Sequence, residues 1–130
     1  METMKLYNGV EVPANGFGVY QVSKEDCKES VLTALKTGYR HIDTAQSYFN
    51  ESEVGEALKE SDVPRKEIFL TTKVWIDNYG EGKTYDSVVE SLKKLQTDYL
   101  DLILLHQPVG DYYAAYRDLE KLYEEGKVRA

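Results

Sequence analysis

The sequence predicts an α/β fold, a parallel sheet whose strands alternate with helices. Three observations carry that prediction. A unit of strand followed by amphipathic helix recurs four times along the 130 residues. The last strand segment is almost wholly apolar, as expected where both faces of a sheet are covered. The helices carry their apolar residues at three- and four-residue steps, the period of one helix face. Such alternation implies right-handed crossovers and parallel pairing.

The elements follow in order. Asn8-Gly9, between residues 4–7 and 10–13, predicts a β-hairpin with a two-residue loop. A short strand over 17–20 comes next. Ser23 with Asp26 three residues on resembles a capping box with Asp in place of Glu, and it opens a helix carrying Cys27, Val31, Ala34 and Leu35 up to Gly38. The second unit has a strand over 39–43 and a helix opened by Asn50 with Val54, Ala57 and Leu58, broken at Pro64. The third has a strand over 68–74, a loop through Gly80 and Gly82, and a helix capped by Thr84 with Val88, Leu92 and Leu95 on one face. The fourth has a strand over 100–106 and a helix after Asp111 that buries Ala115, Leu119 and Leu122 and ends at Gly126. Two architectures fit this order, an open doubly wound sheet and part of a closed eight-stranded barrel, whose usual length is ~250 residues. Length alone favours the open sheet.

Composition excludes several functions. With 16 Lys plus Arg against 23 Asp plus Glu, the formal net charge is −7, the opposite of what a phosphate-backbone partner requires. No apolar run approaches the ~20 residues of a membrane span, and the N-terminus lacks the pattern of a secretory signal, so the expected compartment is the cytoplasm. Cys27 is the only cysteine and falls on the apolar helix face, which makes it a small core residue rather than a nucleophile. The acidic clusters at 51–60 and 120–125 read as solvated helix faces. No His accompanies them at ligand spacing, so no metal is expected.

Chemistry concentrates at the strand ends. Side chains alternate along a strand, and Asp43, Lys73 and His106 each fall at the C-terminal end of a successive strand, where barrel and open-sheet enzymes alike place catalysts. Tyr48 follows just beyond the second of these strands. An Asp43–Lys73 ion pair joining two strands would account for two of the four residues, but not for a phenol and an imidazole at the same rim. A cation beside a phenol favours the phenolate, so Lys73 would ease proton release from Tyr48. His41, one layer deeper on the same face as Asp43, reads as a hydrogen-bonded core histidine.

The segment His41-Ile42-Asp43-Thr44-Ala45-Gln46-Ser47-Tyr48, with Glu53-Val54-Gly55 after it, Thr72-Lys73-Val74-Trp75 and Leu104-Leu105-His106-Gln107-Pro108, resembles the aldo-keto reductase family over nearly the whole chain. That resemblance implies a TIM (β/α)8-barrel type, here an N-terminal hairpin plus four βα units forming one truncated domain over 1–130. It implies a catalytic tetrad in which Tyr48 protonates a carbonyl oxygen, Lys73 assists it, Asp43 pairs with Lys73, and His106 orients the carbonyl. Hydride would come from NADPH, with Gly18, Val19, Tyr20 and Asp43 near the nicotinamide. Tyr20, Phe49 and Trp75 would wall the substrate pocket, and Gln107, where many relatives carry Trp, would make one wall more polar.

Relatives continue beyond Ala130 with a fifth strand and three further βα units, which supply most of the cofactor contacts. Four strands of a barrel leave the first and fourth as open parallel edges. The expectation is a two-fold homodimer pairing the fourth strand of each copy with the first of the other. The leading functional reading is therefore an NAD(P)H-dependent carbonyl reductase or its N-terminal half. The alternative is a non-catalytic half-barrel acting as an oligomerisation or binding module. An open-sheet signalling or flavin domain would leave the tetrad positions as coincidence.

Overall fold

The computed structural model describes residues 1–130. Its elements are β1 (Thr3–Lys5), β2 (Glu11–Pro13), β3 (Phe17–Gly18), α1 (Lys24–Thr37), β4 (His41–Asp43), α2 (Glu51–Glu60), β5 (Phe69–Val74), α3 (Lys83–Leu95), β6 (Leu102–Leu105) and α4 (Tyr112–Glu124). β1 and β2 form a separate antiparallel ribbon, while β3-β4-β5-β6 form a parallel sheet in chain order. The α/β class and the parallel sheet agree with the sequence pattern. Leu35, Ile42, Leu70, Val74, Leu95 and Leu100 are among the fully buried side chains between the sheet and the helices. No helix is long and apolar enough to cross a membrane.

The hairpin forms, but its loop has three residues rather than two. Leu6 N–H donates to the Val10 carbonyl at 2.8 Å and Gly9 N–H to the Leu6 carbonyl at 2.9 Å, with Gly9 at φ 89°. That is a tight turn closed by a glycine bulge, the other use of an Asn-Gly pair.

α1 begins and ends as its sequence dictates. The Ser23 side chain accepts from Asp26 N–H, and Gly38 at φ 116° closes the helix. Asp26 does not complete the reciprocal cap; its carboxylate accepts from the Ser23 hydroxyl at 3.1 Å instead. Of the two other expected caps, Asn50 does hold the N-cap position of α2 but without a side-chain bond, and Thr84 is not a cap. The Asn50 amide is used between loops instead. Thr84 lies inside α3, whose cap position is Gly82, and its hydroxyl donates to the Asn78 carbonyl at 2.7 Å.

The strands are shorter than the apolar runs. The segment predicted as a strand over 100–106 forms ladder pairs only over Leu102–Leu105. The sequence pattern predicts an open outer edge for this strand, but that edge is partly covered. Residues 127–130 run alongside: Leu100 N–H donates to the Lys127 carbonyl, Arg129 N–H to the Leu100 carbonyl, and Ile103 N–H to the Ala130 carbonyl, all at 2.9–3.0 Å. Backbone donors left by one strand recruit the next segment to satisfy them.

Candidate active site

The four predicted catalytic residues converge at the C-terminal rim of the sheet. Asp43 ends β4, Lys73 sits one residue before the end of β5, His106 directly follows β6, and Tyr48 closes a single 3-10 turn after β4. Parallel pairing does the assembly, because the in-register ladders bring the successive strand ends to one edge.

Lys73 is the centre of the cluster. An ammonium has three N–H donors, and those of Lys73 reach Asp43 Oδ1 at 2.5 Å, the Thr44 carbonyl at 3.0 Å and the Tyr48 hydroxyl oxygen at 3.3 Å. Its side chain is 13% exposed and that of Asp43 32%, so the charge is largely withdrawn from water but compensated. With its oxygen receiving a bond from Lys73, the Tyr48 hydroxyl keeps its own proton for another acceptor. His106 stands edge-on to Tyr48, with ring centroids 5.7 Å apart, and edge-on to Trp75 at 5.5 Å. Burial first and the Lys73 charge second hold its pKa below the ordinary imidazole value, against a smaller opposing pull from Asp43. The ring is thus neutral at neutral pH.

Tyr20 packs on Tyr48 with centroids 5.1 Å apart, so Tyr20 and Trp75 flank the phenol and the imidazole. Phe49 follows Tyr48 at φ 57° and is 75% exposed. Gln107 is exposed, and its backbone is clasped by Tyr79, whose hydroxyl donates to the Gln107 carbonyl at 2.8 Å and accepts from the Gln107 N–H at 3.1 Å. Gly18 pairs in register with Asp43 and has open space where a side chain would project. Val19 is different. It is fully buried, its N–H donates to the Asp43 carbonyl, and its carbonyl accepts from Asn50, so neither its side chain nor its backbone faces the rim. His41 is hydrogen-bonded as expected, its Nε2 lying 3.0 Å from Thr71 Oγ1, but it is half-buried rather than a core residue, and partial burial lowers its pKa.

Three residues support the site in ways the sequence did not signal, although Asn50 reads as a helix opener and Gln46 and Ser47 fall within the motif. The Gln46 amide nitrogen donates to Ser87 and Ser91, while its oxygen accepts from Trp75 N–H at 2.9 Å and from Asn78 at 2.8 Å, tying the turn of Tyr48 to the exit of β5. Asn50, fully buried, donates to the Val19 and Val22 carbonyls and accepts from the Thr44 hydroxyl. Ser47 lies against His106. Each was placed only by contacts more than two dozen residues away, or by one local bond to Thr44.

A model of the aldo/keto reductase family matches residues 13–130. The chain belongs to that family. Among its relatives, the glyoxal reductase of Bacillus subtilis is 50% identical over 99% of this chain and 48% of its own length. The methylglyoxal reductase DkgA of Escherichia coli is 42% identical over 98% of this chain and 46% of its own. Of the solved structures, an aldo/keto reductase from Brucella melitensis superposes with a TM-score of 0.97 at 45% identity, covering 99% of this chain and 50% of that one. A Bombyx mori aldo-keto reductase in complex with NADP superposes with a TM-score of 0.94 at 31% identity, covering 99% and 48%. The chain therefore spans about half the length of the relatives it matches.

Proposed function

We propose that this chain carries the catalytic residues of an NADPH-dependent carbonyl reductase and forms the first half of its eight-stranded barrel. The observation that carries the reading is the saturated Lys73. Its third N–H is spent on the Tyr48 oxygen, which leaves the phenolic proton as the one to be given away. Tyr48 is the proton donor to the carbonyl oxygen, Lys73 stabilises the charge that the phenol acquires, Asp43 and the Thr44 carbonyl hold Lys73, and neutral His106 orients the carbonyl.

The residues present fit a nicotinamide on one side of this cluster. Gly18, with no side chain in the space above it, Tyr20 and Asp43 border the same rim. NADPH, when bound, supplies the hydride that the carbonyl carbon accepts. The substrates proposed are small aldehydes and ketones of the glyoxal and methylglyoxal kind, the compounds named for the bacterial relatives. Tyr20, Phe49, Trp75 and Gln107 are the proposed pocket walls. The free edge of β3 and the segment 127–130 are where the barrel closes. A second copy joining these edges is a homodimer that a sizing column detects, and a monomeric elution overturns it.

Titration with NADPH, followed by the fluorescence of Trp75, the only tryptophan, and then by NADPH consumption with methylglyoxal, tests the reading in the protein. Tyr48→Phe should leave binding intact and lower turnover ~10²- to 10⁴-fold. Undiminished turnover in that variant removes Tyr48 as the donor.

A further inference from the structure

In a neutral imidazole one nitrogen donates and the other accepts, and the partner of one fixes the role of the other. The His106 ring has its side-chain partner on one nitrogen: Nδ1 lies 3.4 Å from the Ser47 hydroxyl oxygen. Ser47 immediately precedes Tyr48 in the same 3-10 turn. One short turn therefore brings a phenol to the edge of the imidazole and a hydroxyl to its Nδ1. Tyr48 and Trp75 each meet the ring at close to a right angle, 76° and 79°, so its tilt is held from two sides. What packing does not choose is which nitrogen carries the proton.

The chemistry of the site chooses. Were Ser47 to accept from Nδ1–H, Nε2 would be a bare acceptor facing a carbonyl oxygen, itself an acceptor, and the two lone pairs would repel. Were Ser47 to donate to Nδ1, Nε2 would carry the proton and could donate to that oxygen. Ser47 makes no other side-chain hydrogen bond, so its proton has no competing acceptor within the protein. The titratable groups that face the ring are Lys73 from the adjacent strand β5, Asp43 from β4 beyond it and Tyr48 from the turn. With Lys73 already a cation, an imidazolium beside it is disfavoured and the neutral ring needs an assigned tautomer.

We propose that Ser47 is a positioning residue: its hydroxyl donates to His106 Nδ1 and fixes the ring as the Nε2–H tautomer, with the donor turned toward the carbonyl oxygen that Tyr48 protonates. The choice of tautomer rests on the reductase reading, which supplies the carbonyl oxygen that Nε2 faces, while the Ser47 contact does not. The tautomer itself is measured without any turnover.

Long-range proton–nitrogen spectra of the protein labelled with ¹⁵N-histidine give that measurement. The chain has two histidines, and His106→Gln identifies the signal. The expected result is a non-protonated Nδ1 displaced in the direction of an accepted hydrogen bond and a protonated Nε2. In Ser47→Ala, Nδ1 should lose that displacement, and His106 should titrate at a higher pH because the bond that favoured the neutral ring is gone. Ser47→Thr should restore both. In turnover assays Ser47→Ala should lower kcat by about threefold to tenfold with little change in KM, since the bond acts on orientation in the transition state. A protonated Nδ1 in the unaltered protein overturns the proposal, and so does an Nδ1 signal that is the same in Ser47→Ala. Absence of reductase activity in a protein with the expected tautomer would instead remove the reductase reading and leave the Ser47 bond standing.

Discussion

Two carboxylate–cation clusters join neighbouring strands of this sheet, one at each end, and they differ in what they leave unfilled. At the N-terminal end, Asp101 forms an ion pair with Arg65 at 2.9 Å and accepts from Arg129 at 2.7 Å and the Leu70 N–H at 2.9 Å, and its side chain is 3% exposed. Arg65 is filled in turn, by the Ile68 and Tyr99 carbonyls and the Thr97 hydroxyl, and lies over the Tyr99 ring. At the C-terminal end the carboxylate is the more exposed, Asp43 at 32%, although Lys73 is more buried than either arginine, and the cluster ends in a hydroxyl that has received a bond and still has one to give. Both are ion pairs of the kind a sequence reader would call staples. A site is recognised by the donor left over, by nearness to solvent and by its end of the strand, not by the presence of the pair.

The contrast can be broken by substitution, and the largest effect is on chemistry. Lys73→Met should lower turnover by roughly 10³-fold, because the phenol loses the cation that stabilises it as it gives up its proton. Its unfolding midpoint in denaturant should change little, since Asp43 can turn to water. Asp101→Ala should do the reverse. It strands two guanidinium groups and a buried N–H, and a loss of ~3 kcal/mol in unfolding free energy is expected. If Asp101→Ala is as stable as the unaltered chain, the closed cluster is not a staple.

The two arginines sharpen the picture further. Arg65 has a side chain 22% exposed and Arg129 one 49% exposed. Arg65→Ala should therefore cost more, about 2 kcal/mol, than Arg129→Ala, about 1 kcal/mol or less. Chemical denaturation of both variants orders them.

Glu51 supplies the smallest effect and a useful limit. It is a buried carboxyl with hydroxyl partners, Thr72 at 2.7 Å and Ser91 at 3.2 Å, and no cation in contact. Burial raises its pKa above the ordinary glutamate value, outweighing the two hydroxyl bonds and the distant Lys94 charge. The folded state then binds more protons than the unfolded one between the ordinary and the raised value, so stability declines as pH rises through that window and is level above it. Glu51→Gln should flatten this slope, and thermal melts across pH would show it. His106 has the opposite sense. Its lowered pKa means that stability falls as pH drops below the ordinary imidazole value toward the folded one, and that its neutral form persists further into acid than a free imidazole would.

Local rules were legible wherever the deciding partners lie within a few residues. Ser23 and Gly38 bound α1 as their side chain and backbone freedom require. Asn50 and Thr84 have the same residue chemistry, yet their side chains turned to carbonyls, the Val19 carbonyl of a distant loop for Asn50 and the Asn78 carbonyl of the preceding turn for Thr84, because a carbonyl withdrawn from water needs a donor. Val19 was legible as part of a rim segment and not as a core residue, since alternation over a two-residue strand is too short to tell the faces apart.

The sequence by itself determined the α/β class, the order of its units, the three polar residues at strand ends with Tyr48 just beyond one of them and, through its motifs, the family. These depend on period, on turn chemistry and on residue type, which are properties of neighbours along the chain. Only the tertiary structure decided that Lys73 spends its three donors on Asp43, Thr44 and Tyr48, that Gln46 ties the Tyr48 turn to Trp75, and that Ser47 faces the His106 ring. Those contacts join segments 25 to 59 residues apart, and which partner a donor takes at that separation is set by how strands register and how burial excludes water, neither of which is written in any one segment.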